Sequence, residues 1–472
     1  VITAPLKQIR VSDVSGQNQV LVDEVPSDTT IGEFLDELVP RMKLPRKDSG
    51  GHPLTYHARL EREGRHLNRS ERVSESLLES DRLTLQPNID AGGAGGPRGQ
   101  TLEGEPRRRS SEEGRRRAAG KFLPTTTRMQ TPRYQFAIEM LTHDGATSLG
   151  LYPVEVDWEP ALEHLRLAAL RRGIGNGAPG GENASIDPVW SRETGEPQMV
   201  GARLSDGEFV SEVALAYFKP LAVEISGELV EKKLLKSGEL FLFRLYAFRR
   251  ATEQRARSKG GFTVRDATPR IPFVDSPLAA LLEKSAPSGD AETGEVPVFI
   301  PQHVLNEVEA ITLEAGPLET GGILIGHIHR DASIPDIALL VTAQIPAPHT
   351  QSKTTALTFT AETWTAVQAA LDLRKSGEMM VGWWHSHPSF AFCNSECSAE
   401  RRKVCALQKP FLSNDDVVLH RTVFPKGYHV ALLANNADAG LEFALFGWSG
   451  GTVLRRAFRI LGCHPRPPRA RH

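Results

Sequence analysis

His385-Ser386-His387-Pro388 follows directly on the apolar run 379–384, and this arrangement constrains the chain more than any other. Side chains on a strand alternate faces, so two histidines one residue apart point the same way. A pair of imidazoles held side by side on a buried strand needs a partner from elsewhere. Ser413-Asn414-Asp415-Asp416 supplies a carboxylate further along the chain. Two imidazoles and Asp416 (Asp415 being the fallback) would surround a Zn²⁺ whose fourth position is left to water, the pattern of catalytic rather than structural zinc. Upstream, Leu318-Glu319-Thr320-Gly321-Gly322 opens a second apolar run, and Glu319 adds a further carboxylate. Around these pieces, 302–315 predicts an amphipathic helix with Val304, Leu305, Val308 and Ile311 on one side. A second helix is predicted over 361–375. Strands are predicted at 321–326, 337–343, 379–384, 428–434 and 441–448. The expectation for 296–465 is one mixed α/β domain.

Three of the four cysteines, Cys393, Cys397 and Cys405, fall between the two halves of this pattern. So few cysteines in so long a chain do not make a disulfide framework, and a cluster of this kind reads sooner as metal-binding. It could form a second, structural zinc site, with His420 or another residue as fourth ligand. The alternative is three reduced thiols in a loop.

Glu319 before a Gly-rich apolar strand, then His385-Ser386-His387-Pro388, then Ser413-Asn414-Asp415-Asp416, resembles the JAB/MPN metalloprotease family. The resemblance implies a cytidine-deaminase-like α/β/α fold. It also implies zinc held by His385, His387 and Asp416, Glu319 as general base, and Ser413 as a hydrogen-bond donor to the oxyanion. Ser-x-x-Asp is in addition a helix-capping pattern, so Ser413 has a second expected task. One departure from the family is the long gap between the two motif halves, filled here by the cysteine-bearing stretch.

The N-terminal residues carry a different pattern. Short alternating strands at 6–11 and 19–22 are followed by Asp28-Thr29-Thr30 and then Ile31, Phe34, Leu35, Leu38 and Met42 at helical spacing. Strand-like runs recur at 54–60 and 82–86. The order is that of a β-grasp. With Gly64-Arg65-His66-Leu67, the run 77–85, and the tail Ala91-Gly92-Gly93-Ala94-Gly95-Gly96, residues 1–93 resemble ubiquitin-like proteins. Glycine, lacking Cβ, would let such a tail thread a narrow channel. Cleavage is expected after Gly93 rather than after Gly96, because Pro97 would put a rigid ring on the leaving side. The plainer alternative is that these glycines begin a flexible linker.

Residues 94–129, with the arginine runs 107–109 and 115–117, show no apolar periodicity and are expected to be a disordered linker. Residues 130–255 are expected to form an α+β domain of unassigned role, with strands at 134–141 and 240–245 and a helix at 158–172. Its lack of cysteine argues against a thioester carrier. A low-hydrophobicity stretch, 256–295, reads as a second linker.

A formal net charge of −2 gives no whole-molecule attraction to nucleic acid or anionic membrane, so neither is expected as a partner. No apolar stretch reaches membrane-spanning length, and no leader pattern opens the chain, so a cytoplasmic protein is expected. Taken together, the two resemblances imply a zinc-dependent isopeptidase that matures its own N-terminal module, removes it from conjugates, or both. Ubiquitin-like conjugates and E1/E2-like enzymes of the same pathway would be its partners. Two other readings stand beside it: maturation of a sulfur-carrier protein, and a non-catalytic ubiquitin-like/MPN scaffold.

Overall fold

A computed structural model describes residues 6–47, 53–91, 134–173, 184–190, 197–204, 210–249, 262–289, 295–334, 336–347, 351–353, 356–392 and 398–462. The predicted linker 94–129 and the glycines of the tail lie outside the described residues, as do Cys393 and Cys397.

The N-terminal unit runs β1 (Leu6–Asp13), β2 (Gln19–Val25), α1 (Ile31–Arg41), β3 (Thr55–Leu60), β4 (Arg65–His66), α2 (Val73–Ser76) and β5 (Arg82–Ala91). Helix α1 starts at a reciprocal cap: Thr30 Oγ1 accepts from the Glu33 amide, and Glu33 returns its carboxylate to the Thr30 amide. Its stripe Ile31, Phe34, Leu35 and Leu38 is fully buried against Ile9, Val11, Val22 and Leu83. Strands β1 and β5 pair in parallel, while β1–β2 and β3–β5 are antiparallel.

The middle unit comprises β6 (Tyr134–Thr142), β7 (Ser148–Val154), α3 (Glu159–Arg171), β8 (Ala184–Trp190), β9 (Pro197–Leu204), β10 (Val210–Ala214), α4 (Lys219–Glu231) and β11 (Phe241–Arg249). These make two three-stranded sheets, β11-β6-β7 and β10-β9-β8. They share a core that includes Phe136, Trp158, Leu165, Phe218 and Leu229.

Next come β12 (Thr263–Asp266), β13 (Phe273–Asp275), α5 (Leu278–Glu283) and β14 (Ser285–Ser288). This corrects the expected linker 256–295. The described part of that stretch adds strands to both large sheets: β12 lies on β2, β13 on the strand Gly321–Asp331 and β14 on the strand Phe458–Leu461. Low hydrophobicity is what edge strands show, because only one face of each is covered.

The C-terminal unit runs β15 (Val298–Pro301), α6 (Gln302–Ala315), β16 (Gly321–Asp331), β17 (Asp336–Pro346), β18 (Gln351–Lys353), β19 (Ala356–Phe359), α7 (Ala361–Arg374) and β20 (Met379–His387). It continues with α8 (Ser389–Phe392), α9 (Ala399–Val404), α10 (Asn414–Val423), β21 (Val430–Ala437), β22 (Gly440–Ser449), β23 (Thr452–Arg456) and β24 (Phe458–Leu461). Its sheet has the order β14-β24-β15-β17-β16-β20-β21-β22-β23. Strand β20, in the middle, is buried along almost its whole length. Helix α6 covers one face through Val304, Leu305 and Val308, packed with Leu324, Val381, Trp384 and Leu432. Helices α7 and α10 cover the other through Trp364, Val367, Leu419 and Val423, packed with Ile323, Trp383 and Leu433.

The two ends of the chain are joined more closely than two domains on a tether would be. Strand β5 does not stop at Gln86, where the last strand of the N-terminal unit was expected to end. Its last residues add to β19 in antiparallel register, Ile89 opposite Phe359, Asp90 opposite Thr358 and Ala91 opposite Leu357. Residues 88–91, read from the sequence as the exit toward the tail, are therefore strand, and Ile89 and Ala91 belong to the core of the C-terminal unit.

Candidate metal centre and tail groove

Strand β20 delivers His385 and His387 to one face of the sheet. Gly321 lies opposite His385 on β16, and the pairing continues past the end of β16. The Ser386 amide donates to the Thr320 carbonyl at 2.8 Å, and the Thr320 amide donates to Ser386 Oγ at 3.0 Å. Glu319 immediately precedes Thr320 in the chain. Glycine is required at 321 by close approach, since a Cβ there would stand 2.6 Å from the Trp384 carbonyl oxygen and 2.7 Å from Leu357 Cδ2.

Asp416 arrives from α10. Ser413 is the N-cap of this helix: its Oγ accepts from the Asp416 amide at 3.1 Å, while Asp416 Oδ2 accepts from the Ser413 amide at 2.6 Å. That reciprocal cap fixes the carboxylate. His385 Nε2 and His387 Nε2 are 3.0 Å apart, with Asp416 Oδ1 at 3.3 Å from the first and Oδ2 at 3.8 Å from the second. All three residues, and Glu319 as well, are fully buried. Asp415 is only half-buried and is not part of the group.

Two imidazole nitrogens and a carboxylate meeting at one buried point make a donor set suited to a divalent cation, and this triad could hold one. Burial, and after it the neighbouring His385, presses the His387 imidazole down to about 3, while Asp416 pulls the other way. His387 is thus neutral across the ordinary pH range, the form that binds metal.

An aromatic wall supports the histidines. Trp383 lies flat on His385, with ring centroids 4.6 Å apart, and donates Nε1–H to His420 Nδ1 at 3.2 Å. Phe411 packs on His387 at 4.9 Å. His420 is fully buried between Phe424 and Trp448. Its Nδ1 is taken by the Trp383 bond, and two of the cysteines with which it was expected to share a site lie outside the described residues. Cys405 is half-buried, and Cys393 and Cys397 lie outside the described residues. The same holds for Gly92, Gly93, Gly95 and Gly96.

The strand that leads to those glycines passes beside the triad. Ile89 is opposite Phe359, whose ring meets Trp383 edge-on at 6.2 Å. Ala91 is opposite Leu357, which presses on Gly321, the partner of His385. From Ile89 to Ala91 the strand therefore advances in the same sense as from Trp383 to His385. Side-chain bonds pin it: Trp364 Nε1 donates to the Pro87 carbonyl at 2.8 Å, the Ala361 amide to Asn88 Oδ1 at 3.1 Å, and Thr358 Oγ1 to Asp90 Oδ1 at 2.6 Å. Sequence reasoning missed Trp383, Leu357, Phe359 and Trp364. Trp383 carries a signal, sharing the strand face of His385 two residues on, but the groove residues carry none, since their partner strand is remote in the chain.

A cavity of about 360 Å³ lies away from the triad, where Gln17, Glu163, Arg166, Lys426 and Tyr428 bring the three units together. Among the described residues no helix is long and apolar enough to cross a membrane.

Comparison with known proteins agrees with the C-terminal unit. No curated protein matches the chain. Among solved structures, the solution structure of protein DSY2949 from Desulfitobacterium hafniense is similar at 19% identity, over 34% of this chain and 92% of that one. Its TM-score of 0.20 supports no statement about fold. Residues 301–396 match the family described as prokaryotic homologs of the JAB domain, a span that includes α6, β16 and the His385–His387 strand. The chain carries a JAB domain in its C-terminal unit.

Proposed function

We propose that this chain is a zinc-dependent peptidase that cuts after the diglycine of a ubiquitin-like tail, with its own N-terminal unit, a β-grasp module, as first substrate. The observation that carries this reading is the pairing of β5 with β19, whose Phe359 meets Trp383 and whose Leu357 lies against Gly321, and the end of β5 at Ala91, immediately before Gly92-Gly93. Strand addition of this kind is a general way to hold an extended peptide, since main-chain bonds grip the backbone whatever its sequence.

In this reading His385, His387 and Asp416 are the zinc ligands. A zinc ion held there would supply Lewis-acid chemistry, making water a better nucleophile near neutral pH and polarising a carbonyl. Glu319 takes a proton from the attacking water as its oxygen bonds to the Gly93 carbonyl carbon. The C–N bond to residue 94 then breaks, and Glu319 returns the proton to the leaving amine. Ser413 donates a hydrogen bond to the oxyanion in addition to capping α10. The Trp383 stack and the burial of the histidines keep the imidazoles in place. Conjugates of the same module, and the adenylating and conjugating enzymes that build them, are the partners this reading implies.

Intact-mass measurement of purified protein tests it. Wild-type chain supplied with zinc should yield a fragment ending at Gly93, and Glu319→Gln should remain whole. A wild type that stays whole, or a variant cut equally well, contradicts the reading.

A further inference from the structure

The tail groove has an occupant already, and the occupant is fastened from both sides. On one side is the β5–β19 pairing with its three side-chain bonds. A second contact lies at the turn after β1. Gln17 Nε2 donates to the Met380 carbonyl on β20 at 2.6 Å, and Gln17 Oε1 accepts from the Tyr428 hydroxyl at 2.6 Å. Asp13 holds that turn by accepting from the Gln17 and Asn18 amides at 3.1 and 3.2 Å.

The third fastening is made by chain that follows the middle unit. Phe262 is buried against Phe34 with ring centroids 5.3 Å apart, under the Arg41 guanidinium at 4.4 Å, and Arg41 also donates to its carbonyl at 2.7 Å. Strand β12 then lies along β2, and Arg265 forms a two-pronged pair with Asp23 at 2.8 and 3.0 Å. The same segment goes on to β13, which pairs with β16 of the C-terminal sheet, Phe273 opposite Ile328. Residues 262–275 thus strap the N-terminal unit to the sheet that carries the triad. All of the strap lies C-terminal to Gly93, so a cut there severs none of it.

We propose that the N-terminal unit is the standing occupant of its own groove, presented to the triad in cis and held there after cleavage, so that it closes the groove to the tail of any other chain. This rests on the peptidase reading above for the word cleavage, but not for the occupancy. Before the cut, the covalently tethered module faces the groove at an effective concentration on the order of millimolar, which a second chain at micromolar concentration cannot match; after the cut, the β5–β19 pairing and the strap hold it. An edge such as β19 left open would also invite pairing with other chains, and β5 covers it.

Two measurements on the full-length chain test the proposal. In hydrogen exchange, peptides covering 82–91 and 356–364 should be protected together, to the level of the central strands β16 and β20. Fast, independent exchange of both would overturn it. In the second, wild-type chain is mixed with an epitope-tagged His385→Ala chain. The wild type should cut itself at a rate independent of concentration, and the tagged chain should be cut at least tenfold more slowly. Loosening the strap with Phe262→Ala and Arg265→Ala in the tagged chain's partner should raise cutting in trans. Equal cutting of both chains would overturn the proposal. If the wild type fails to cut itself, the peptidase reading falls, and the exchange measurement alone decides the occupancy.

Discussion

Trp364 and Pro87 join the two ends of this chain: the buried indole Nε1–H donates to the proline carbonyl at 2.8 Å. The bond ties α7 of the C-terminal unit to the strand that leads into the diglycine. Trp364→Phe keeps the ring but leaves the Pro87 carbonyl buried with no donor, a change that costs about 1–3 kcal/mol. Thermal unfolding should shift downward, and hydrogen exchange should rise first in 82–91. Unchanged exchange there would show that β5 is held by other contacts.

Ser413 has two tasks that substitution separates. Its Oγ accepts from the Asp416 amide, so Ser413→Ala should destabilise the chain by about 1 kcal/mol through loss of the cap. Cleavage should fall roughly 100-fold if the hydroxyl also serves the oxyanion. Ser413→Asp, whose carboxylate accepts but cannot donate, restores the cap and with it the stability, but not the rate. Recovery of both in this variant would leave capping as the whole role.

Trp383 couples His385 to the core residue His420. Trp383→Phe preserves the stack and removes the donor, leaving His420 Nδ1 buried and unsatisfied. A stability loss of about 1–3 kcal/mol is expected. Zinc should be bound more weakly, because the ring that fixes His385 is itself less firmly placed. Equilibrium dialysis against a graded chelator reads the second effect.

Asp13 gives the joint between the units a pH dependence. Burial raises its carboxyl to about 6, although bonds from Asn18 and Ser15 and the charge of Lys426 oppose the shift. The folded chain therefore holds this proton more tightly than the unfolded one. Its stabilising contribution is full below the unfolded value of 3.8 and is lost as pH rises to about 6, on the order of 3 kcal/mol in total. Asp13→Asn keeps an acceptor for the Gln17 and Asn18 amides and cannot ionise. It should flatten the pH dependence of unfolding between pH 4 and 6 and stabilise the chain at pH 7. An unaltered profile would remove Asp13 from the account.

What the sequence discloses about this molecule is local. Alternation along 379–387 is enough to put His385 and His387 on one face, and the Ser413–Asp416 spacing reads as a cap because both cap bonds are made within one helical turn. The α1 stripe and the α6 stripe follow from the same short-range periodicity. Ala91 opposite Leu357 and Thr263 opposite Asp23 are another matter. Strand pairing between distant segments leaves no trace in either segment alone, since what it demands is an extended backbone and one covered face. Residues 88–91 sit next to glycines and so read as an exit, while Thr263-Val264-Arg265-Asp266 is short and polar and so reads as linker.

The central claim is that His385, His387 and Asp416 grip one zinc ion. Elemental analysis of the full-length wild type beside Asp416→Asn, each reconstituted with zinc and freed of excess, tests it most directly. The account predicts that the variant holds one ion fewer per chain. Equal zinc in the two proteins would contradict it.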